Sequence, residues 1–238
     1  MAEHTHKTYG ILKFFRDVEK LDFLVNGGFY CNTPEFYRMS DGDGVSDNFE
    51  SCFHSYRKER GDDPVKLLLN GKELSGVEKL TVHVGGIKDK YLHCWFAFTL
   101  PESEEDIENL GRNLNRMRKE FGGNYAFVKG EDIETLANII GKSTDFYIDH
   151  GNIGYSTDRQ KWSAICKPDN YSYQQEYRFL IGDCEHSDIK PVVIQCTESI
   201  SHLISCNQPL RIRDNETGHV WLELNENGCT TSQFNENS

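Results

Sequence analysis

Gln174, Glu176 and Arg178 fall at alternate positions of YSYQQEYRFLI, residues 171–181. Read as a strand, this stretch projects all three from one face and Tyr173, Tyr177, Phe179 and Ile181 from the other, because strand side chains alternate. A carboxylate in such a row can stabilise positive charge developing on a substrate, and an amide can position a nucleophile without acting as a base. A guanidinium can bind phosphate, orient the carboxylate, or pair with an acidic neighbour and fix the sheet. The last role is preferred for Arg178, since a bare guanidinium beside a developing cation would oppose the reaction. The plainer alternative for the whole face is solvent exposure with Glu176 and Arg178 as same-side neighbours. Spacing alone has little force, because Glu102 and Glu104 repeat it where a helix is expected to open.

Other segments must hold that row in place. TYGILKFF (8–15) reads as a first strand, VEKLDFLVNGG as a short helix ended by glycine, and GFYCN (28–32) as a second strand. Thr33 and Pro34 suit the N-cap and first position of a helix, and Asn70-Gly71 suits a hairpin turn, with Leu67–Leu69 as the end of a helix the alternative. KYLHCWFAFTL is apolar on both faces and belongs at the sheet centre. Ile107, Leu110, Leu114, Met117 and Phe121 form a helical stripe behind a capping box at Ser103 and Asp106. DFYIDHGNIGYST reads as a hairpin folded at 150–152, ESISHLISC as a short helix, and LRIRDNETGHVWLEL as a hairpin. The expectation is one α+β domain over residues 1–224 and a disordered tail at 225–238.

The net charge of −12 argues against a protein that coats nucleic acid or an anionic membrane. The acidic run Asp41–Glu50 reads as a solvated loop. Loops of the G-x-x-x-x-G-K-[ST], G-x-S-x-G, H-E-x-x-H and G-x-G-x-x-G types are absent, which lowers the standing of phosphate-loop, hydrolase, zincin and Rossmann chemistry. Eight cysteines without a C-x-x-C pair read as scattered thiols. Cys184 and His186 alone do not make a metal site, so no metal is expected. With no apolar run near the roughly 18 residues of a membrane span and no signal-peptide pattern, a soluble cytoplasmic protein is expected.

KTYGILKFF, FLVNGGFYCNTPEFYR and KPDNYSYQQEYRF together resemble the sequence outline of ADP-ribosyltransferases, with Gln-x-Glu at 174–176 as the sharp element. More particularly, the chain resembles the RNA-modifying transferase toxins of toxin–antitoxin–chaperone phage-defence systems, in outline from Thr8 to Leu224. The resemblance implies an α+β single domain with a split mixed β-sheet core and inserted helices. It implies NAD as ADP-ribose donor, Glu176 as the catalytic carboxylate on the ribose 2′-hydroxyl, and Gln174 as the residue that positions the acceptor. Lys13 or Arg16 would hold a phosphate or ribose oxygen, Thr33 would supply the second-strand hydroxyl, and Tyr30, Phe36 and Tyr37 would wall the nicotinamide. Two departures stand out: Lys13 replaces an Arg or His, and Cys31-Asn32-Thr33 replaces a Ser-Thr-Ser-like run. Core packing is the plain reading of Tyr30 and Phe36, and a snorkelling surface residue that of Lys13.

Because glutamine is no general base, the Gln-x-Glu form implies transfer to a base or an amide. The implied acceptor is single-stranded RNA, including mRNA bases, with Arg112, Arg116, Arg118 and Lys119 as a possible contact and a solvated helix face as their plain reading. An antitoxin, a possible chaperone and no membrane complete the expected partners of an antiphage toxin. Two alternatives stay open: a protein-directed transferase, and an inactive binding module of the same fold acting through the 41–50 loop.

Overall fold

Alternation along the first strand, Thr8–Phe15, supplies two cores at once. Ile11 and Phe15 join Trp95, Ala97, Tyr177 and Phe179 on one side, packed by Leu21 and Leu24 of the Val18–Val25 helix and by Leu136 and Ile140 of the Ile133–Lys142 helix. Leu12 and Phe14 join Phe96, Phe98 and Phe127 on the other, covered by Ile107, Leu110, Leu114 and Met117 of the long helix Glu104–Phe121. That helix starts where the sequence asks: Ser103 Oγ accepts from the Asp106 amide at 3.2 Å and donates to the Asp106 carboxylate at 2.7 Å. The computed structural model describes residues 8–41, 44–83 and 85–232.

The chain is a mixed α/β protein with no closed barrel among the described residues. Its main sheet has six strands in the order Ile204–Cys206, Asn124–Lys129, Thr8–Phe15, Asp89–Thr99, Glu176–Cys184 and Ile148–Asn152. Every pairing in this sheet is antiparallel, where a mixed sheet was expected. Asp89–Thr99 is central, as its two apolar faces require. One of its edges pairs with Glu176–Cys184 from Phe96 to Asp89. The other edge is shared between two partners. The first strand pairs only from Thr99 to Phe96, and beyond it Asn32 bridges to Leu92. Between these partners the ladder opens, and the Lys13 ammonium donates to the Cys94 carbonyl at 2.6 Å. The second strand, Gly28–Cys31, pairs with Val192–Gln195 in a separate two-stranded sheet.

Four further sequence expectations are corrected. The 150–152 region is no hairpin: Ile148–Asn152 edges the main sheet, while Gly154–Ser156 runs parallel to Cys166–Pro168. ESISHLISC gives only the 3₁₀ turn Ser201–Leu203 before Ile204–Cys206 enters the sheet, where the β-branched Ile204 pairs with Val128. In the expected tail, Gly228–Thr231 is a strand paired with Val220–Asn225, with Cys229 buried against the long helix. Asn115 fixes it by accepting from the Cys229 amide and donating to its carbonyl, and residues 233–238 lie outside the described residues. The fourth correction concerns the opening row of polar residues. Asp169–Gln174 is a 3₁₀ helix, Gln175 is left-handed at φ 40°, and the strand begins only at Glu176.

Candidate functional site

The left-handed Gln175 changes how the Gln-x-Glu pair is presented. A non-glycine residue there is sparsely populated and is held by packing. Gln174 therefore reaches the site from a 3₁₀ turn and Glu176 from the first position of a strand, and Tyr173 packs toward the long helix instead of lying behind the strand with Tyr177. Both side chains are buried, and both meet Lys167. The Lys167 ammonium donates to Gln174 Oε1 at 2.9 Å and to Glu176 Oε1 at 2.7 Å. The parallel strands 154–156 and 166–168 put Lys167 opposite Tyr155, whose hydroxyl accepts from the Glu176 amide at 2.7 Å.

Arg178 completes the arrangement. Its Nε donates to Glu176 Oε2 at 2.6 Å, and its two terminal nitrogens each donate to a Glu50 oxygen at 2.8 Å. A fork of this kind fixes geometry as well as charge. The structural pairing expected of Arg178 is present, and the same side chain also orients Glu176. Asp47 joins at 3.4 Å from the Lys167 ammonium. The acidic loop is thus not simply solvated: Asp47 and Glu50 are buried beneath it, because Lys167 and Arg178 supply partners that the local sequence does not reveal. Gly42 and Asp43 of that loop lie outside the described residues.

Three carboxylates face two cations here, and the titration of Glu176 and Asp47 reflects it. Burial raises the Glu176 carboxyl, but the charges and hydrogen bonds of Arg178 and Lys167 outweigh burial and bring it down to about 2. Burial and the neighbouring Glu50 push Asp47 up to about 6 against the pull of Lys167. Its Oδ2 has no hydrogen bond among the described residues. A raised carboxyl contributes stability that is complete below its ordinary value near 3.8 and lost as pH rises through about 6. Asp47→Asn is therefore expected to gain on the wild type by on the order of 1–3 kcal/mol between pH 5 and pH 8. Urea denaturation across that range checks it, and a difference between the two proteins that does not change with pH would refute it.

Gln174, Glu176, Arg178, Lys167 and Glu50 line a cavity of about 210 Å³ that also touches Lys13, Asn32, Tyr37 and Cys94. A second cavity of about 630 Å³ adjoins it across Lys13, Phe14, Asn32, Tyr37, Val45 and Cys94, and extends to Tyr30 and Phe36. Both sit where the ladder of the central strand opens. The structure thus gathers six of the eight expected residues: Gln174, Glu176, Lys13, Tyr30, Phe36 and Tyr37. Phe36 and Tyr37 meet edge to face at 5.6 Å. Burial lowers the Lys13 ammonium from its ordinary value, opposed by Cys94, Cys31 and Glu176.

Two expected residues are elsewhere. Thr33 is fully buried, and its hydroxyl accepts from the Phe36 amide at 3.2 Å as the N-cap of Pro34–Met39, so it faces neither cavity. Arg16 is exposed and donates to the Glu120 carbonyl at 2.5 Å, satisfying the end of the long helix. The basic residues of that helix are also largely engaged. Arg112 meets Glu108 and Asn109, Arg116 meets Glu120 and stacks on Tyr173, and Arg118 donates to the Glu226 carbonyl.

Sequence reasoning missed Lys167, Glu50 and Asp47. Lys167 lay within a segment already quoted, yet no periodicity marks it. Among the described residues no helix is long and apolar enough to cross a membrane. Comparison with known proteins finds no matching family model, curated protein or solved structure.

Proposed function

We propose that the chain is an NAD-dependent ADP-ribosyltransferase with an ADP-ribosyltransferase-like split sheet, acting on nucleic acid, with single-stranded RNA bases as acceptor, as a toxin in antiphage defence. The observation that carries the reading is the convergence of Gln174 and Glu176 on one cavity at the opened edge of the central strand, beside a larger chamber with aromatic walls. The smaller cavity falls below the roughly 300–1,000 Å³ usual for ligand sites and the larger lies within that range, so a dinucleotide would span both.

The chemistry follows from charge. Breaking the bond between nicotinamide and ribose leaves the electron pair on nicotinamide and positive charge on the ribose. A carboxylate ionised throughout the physiological range stabilises that charge as it develops. Glu176 is such a group. It is a poor general base near neutrality, and no base is asked of it. Each carboxylate oxygen has two lone pairs, so Lys167 and Arg178 leave acceptor capacity for a ribose hydroxyl. Gln174, whose carbonyl is held by Lys167 and whose amide donates to the Gly44 carbonyl, positions the acceptor. Lys13 offers a cation to the diphosphate, and the Tyr30, Phe36 and Tyr37 rings offer faces to nicotinamide. The transfer itself uses no metal, and an antitoxin, with or without a chaperone, would restrain the enzyme.

A second reading draws on the same contacts. Both Glu176 oxygens are already engaged, which favours an inactive binding module unless a hydroxyl can share them. Incubation with adenine-labelled NAD, total RNA and total protein separates the readings. Label in RNA is the expected result. Label in protein alone would replace the acceptor with a side chain, and no label with NAD intact would favour the binding module.

A further inference from the structure

We propose that His83, Asp89 and His186 form a site for a borderline divalent metal ion of the zinc class, distinct from the cavities around Glu176. The three come from separate segments. His83 follows the strand Lys79–Val82, Asp89 begins the central strand, and His186 lies two residues past Glu176–Cys184. Each offers one ligand atom, and these atoms lie within 4.8 Å of one another. None of the three lines either cavity at the candidate functional site.

The donor set is that of zinc chemistry: two imidazoles and one carboxylate, with a fourth position left for water. The surroundings resemble a prepared outer shell. Ser51, itself left-handed at φ 54°, donates through its hydroxyl to Asp89 Oδ1 at 2.7 Å, and its carbonyl lies 3.3 Å from His83 Nδ1. One residue thus orients two of the three ligands, the job outer-shell partners perform at metal sites. Asp89 Oδ2 faces His186 Nδ1 at 3.1 Å. That nitrogen is buried and makes no hydrogen bond among the described residues. The two imidazole rings stack at 3.6 Å and 14°, which brings their nitrogens to one side of Asp89. Both rings remain partly exposed, which gives an ion a way in.

Arg38 is the competing cation. Its guanidinium already donates to Glu35 at 2.7 Å and to the carbonyls of Glu50 and His186 at 2.6 and 2.9 Å, and its contact with Asp89 is the longest at 3.4 Å. Asp89 therefore keeps charge for a second partner. Zinc ligands at about 2.0–2.2 Å stand roughly 3.4 Å apart around a tetrahedron, so binding would draw the 4.8 Å cluster inward. The ion would clasp two loops to the start of the central strand. Because Ser51 adjoins Glu50, whose carboxylate holds Arg178, that clasp would also steady the far side of the Glu176 network.

The test uses the full chain, stripped of metal, and does not depend on the transferase reading. Wild type, His83→Ala, His186→Ala and Cys184→Ser are titrated with Zn²⁺ against a chromophoric chelator, with far-UV circular dichroism confirming that each is folded. One ion per wild-type chain is expected, with affinity at least about tenfold weaker in both histidine variants and unchanged in Cys184→Ser. Co²⁺ should give a spectrum without a sulfur-to-metal charge-transfer band. No binding by wild type, full binding by both histidine variants, or a sulfur band would overturn the site and assign any metal to the cysteines.

Discussion

Arg178→Met is expected to destabilise the folded chain by about 3–5 kcal/mol, the cost of breaking a buried ion pair by removing one partner. Arg178 is 1% exposed and is among the largest fully buried side chains. It donates to Glu176, to both oxygens of Glu50 and to the Ala164 carbonyl at 2.8 Å. Without it, Glu50 would retain, among the described residues, only the Lys167 ammonium at 3.6 Å, which also serves Glu176 and Asp47. Three buried carboxylates would then share one cation. Arg178→Lys should recover little, since an ammonium cannot reproduce the two-pronged bond to Glu50. Pairing Arg178→Met with Glu50→Gln should cost less than the sum of the single changes, because the second removes the charge that the first strands. Urea denaturation at pH 7 reads all four variants, Glu50→Gln alone included, and a loss under 1 kcal/mol for Arg178→Met would show that the guanidinium is not what holds this network.

Glu176→Gln is expected to lower the rate of ADP-ribose transfer by about 10²–10³-fold, the range found when a preorganised electrostatic contact to a transition state is removed. The substitution keeps shape and removes charge, so lost transfer in a folded variant would locate the effect in the carboxylate. It also has a stability signature. A depressed carboxyl contributes stability that is fully present above its ordinary value near 4.5 and lost as pH falls toward about 2. The variant should therefore be less stable than wild type at pH 7 by on the order of 2–4 kcal/mol and close to it near pH 2. Unchanged transfer by the variant would remove Glu176 from the mechanism. A stability gap that stays constant from pH 7 to pH 2 would contradict the charge network drawn around it.

The parts of the fold that were legible in the sequence are those set by neighbours along the chain. Thr8–Phe15 is an alternating strand, Ser103 and Asp106 cap a helix with a regular apolar stripe, and Asn70-Gly71 turns a hairpin with both residues at positive φ. Leu210–Arg213 and Val220–Asn225 pair as their spacing suggests. What escaped depends on distant partners. Asp47 and Glu50 look like surface residues until Lys167 and Arg178 arrive, and Glu50 lies 128 positions from Arg178. The same holds for Glu35, Arg38, Arg57 and Asp89, a second buried ionic network assembled from three segments. The left-handed Gln175 was hidden for another reason: alternation of residue types on both sides of it imitates one continuous strand. Gln174 and Glu176 nevertheless lie side by side, because Lys167 draws both side chains together across the break.

The central claim is that the cavity at Gln174 and Glu176 cleaves the nicotinamide–ribose bond of NAD. Its most direct measurement is free nicotinamide released from NAD by the folded wild-type chain in the presence of total RNA, quantified against ADP-ribose gained by the RNA. The account predicts release that matches RNA modification mole for mole. Absence of nicotinamide from a reaction with folded protein and saturating NAD would contradict it.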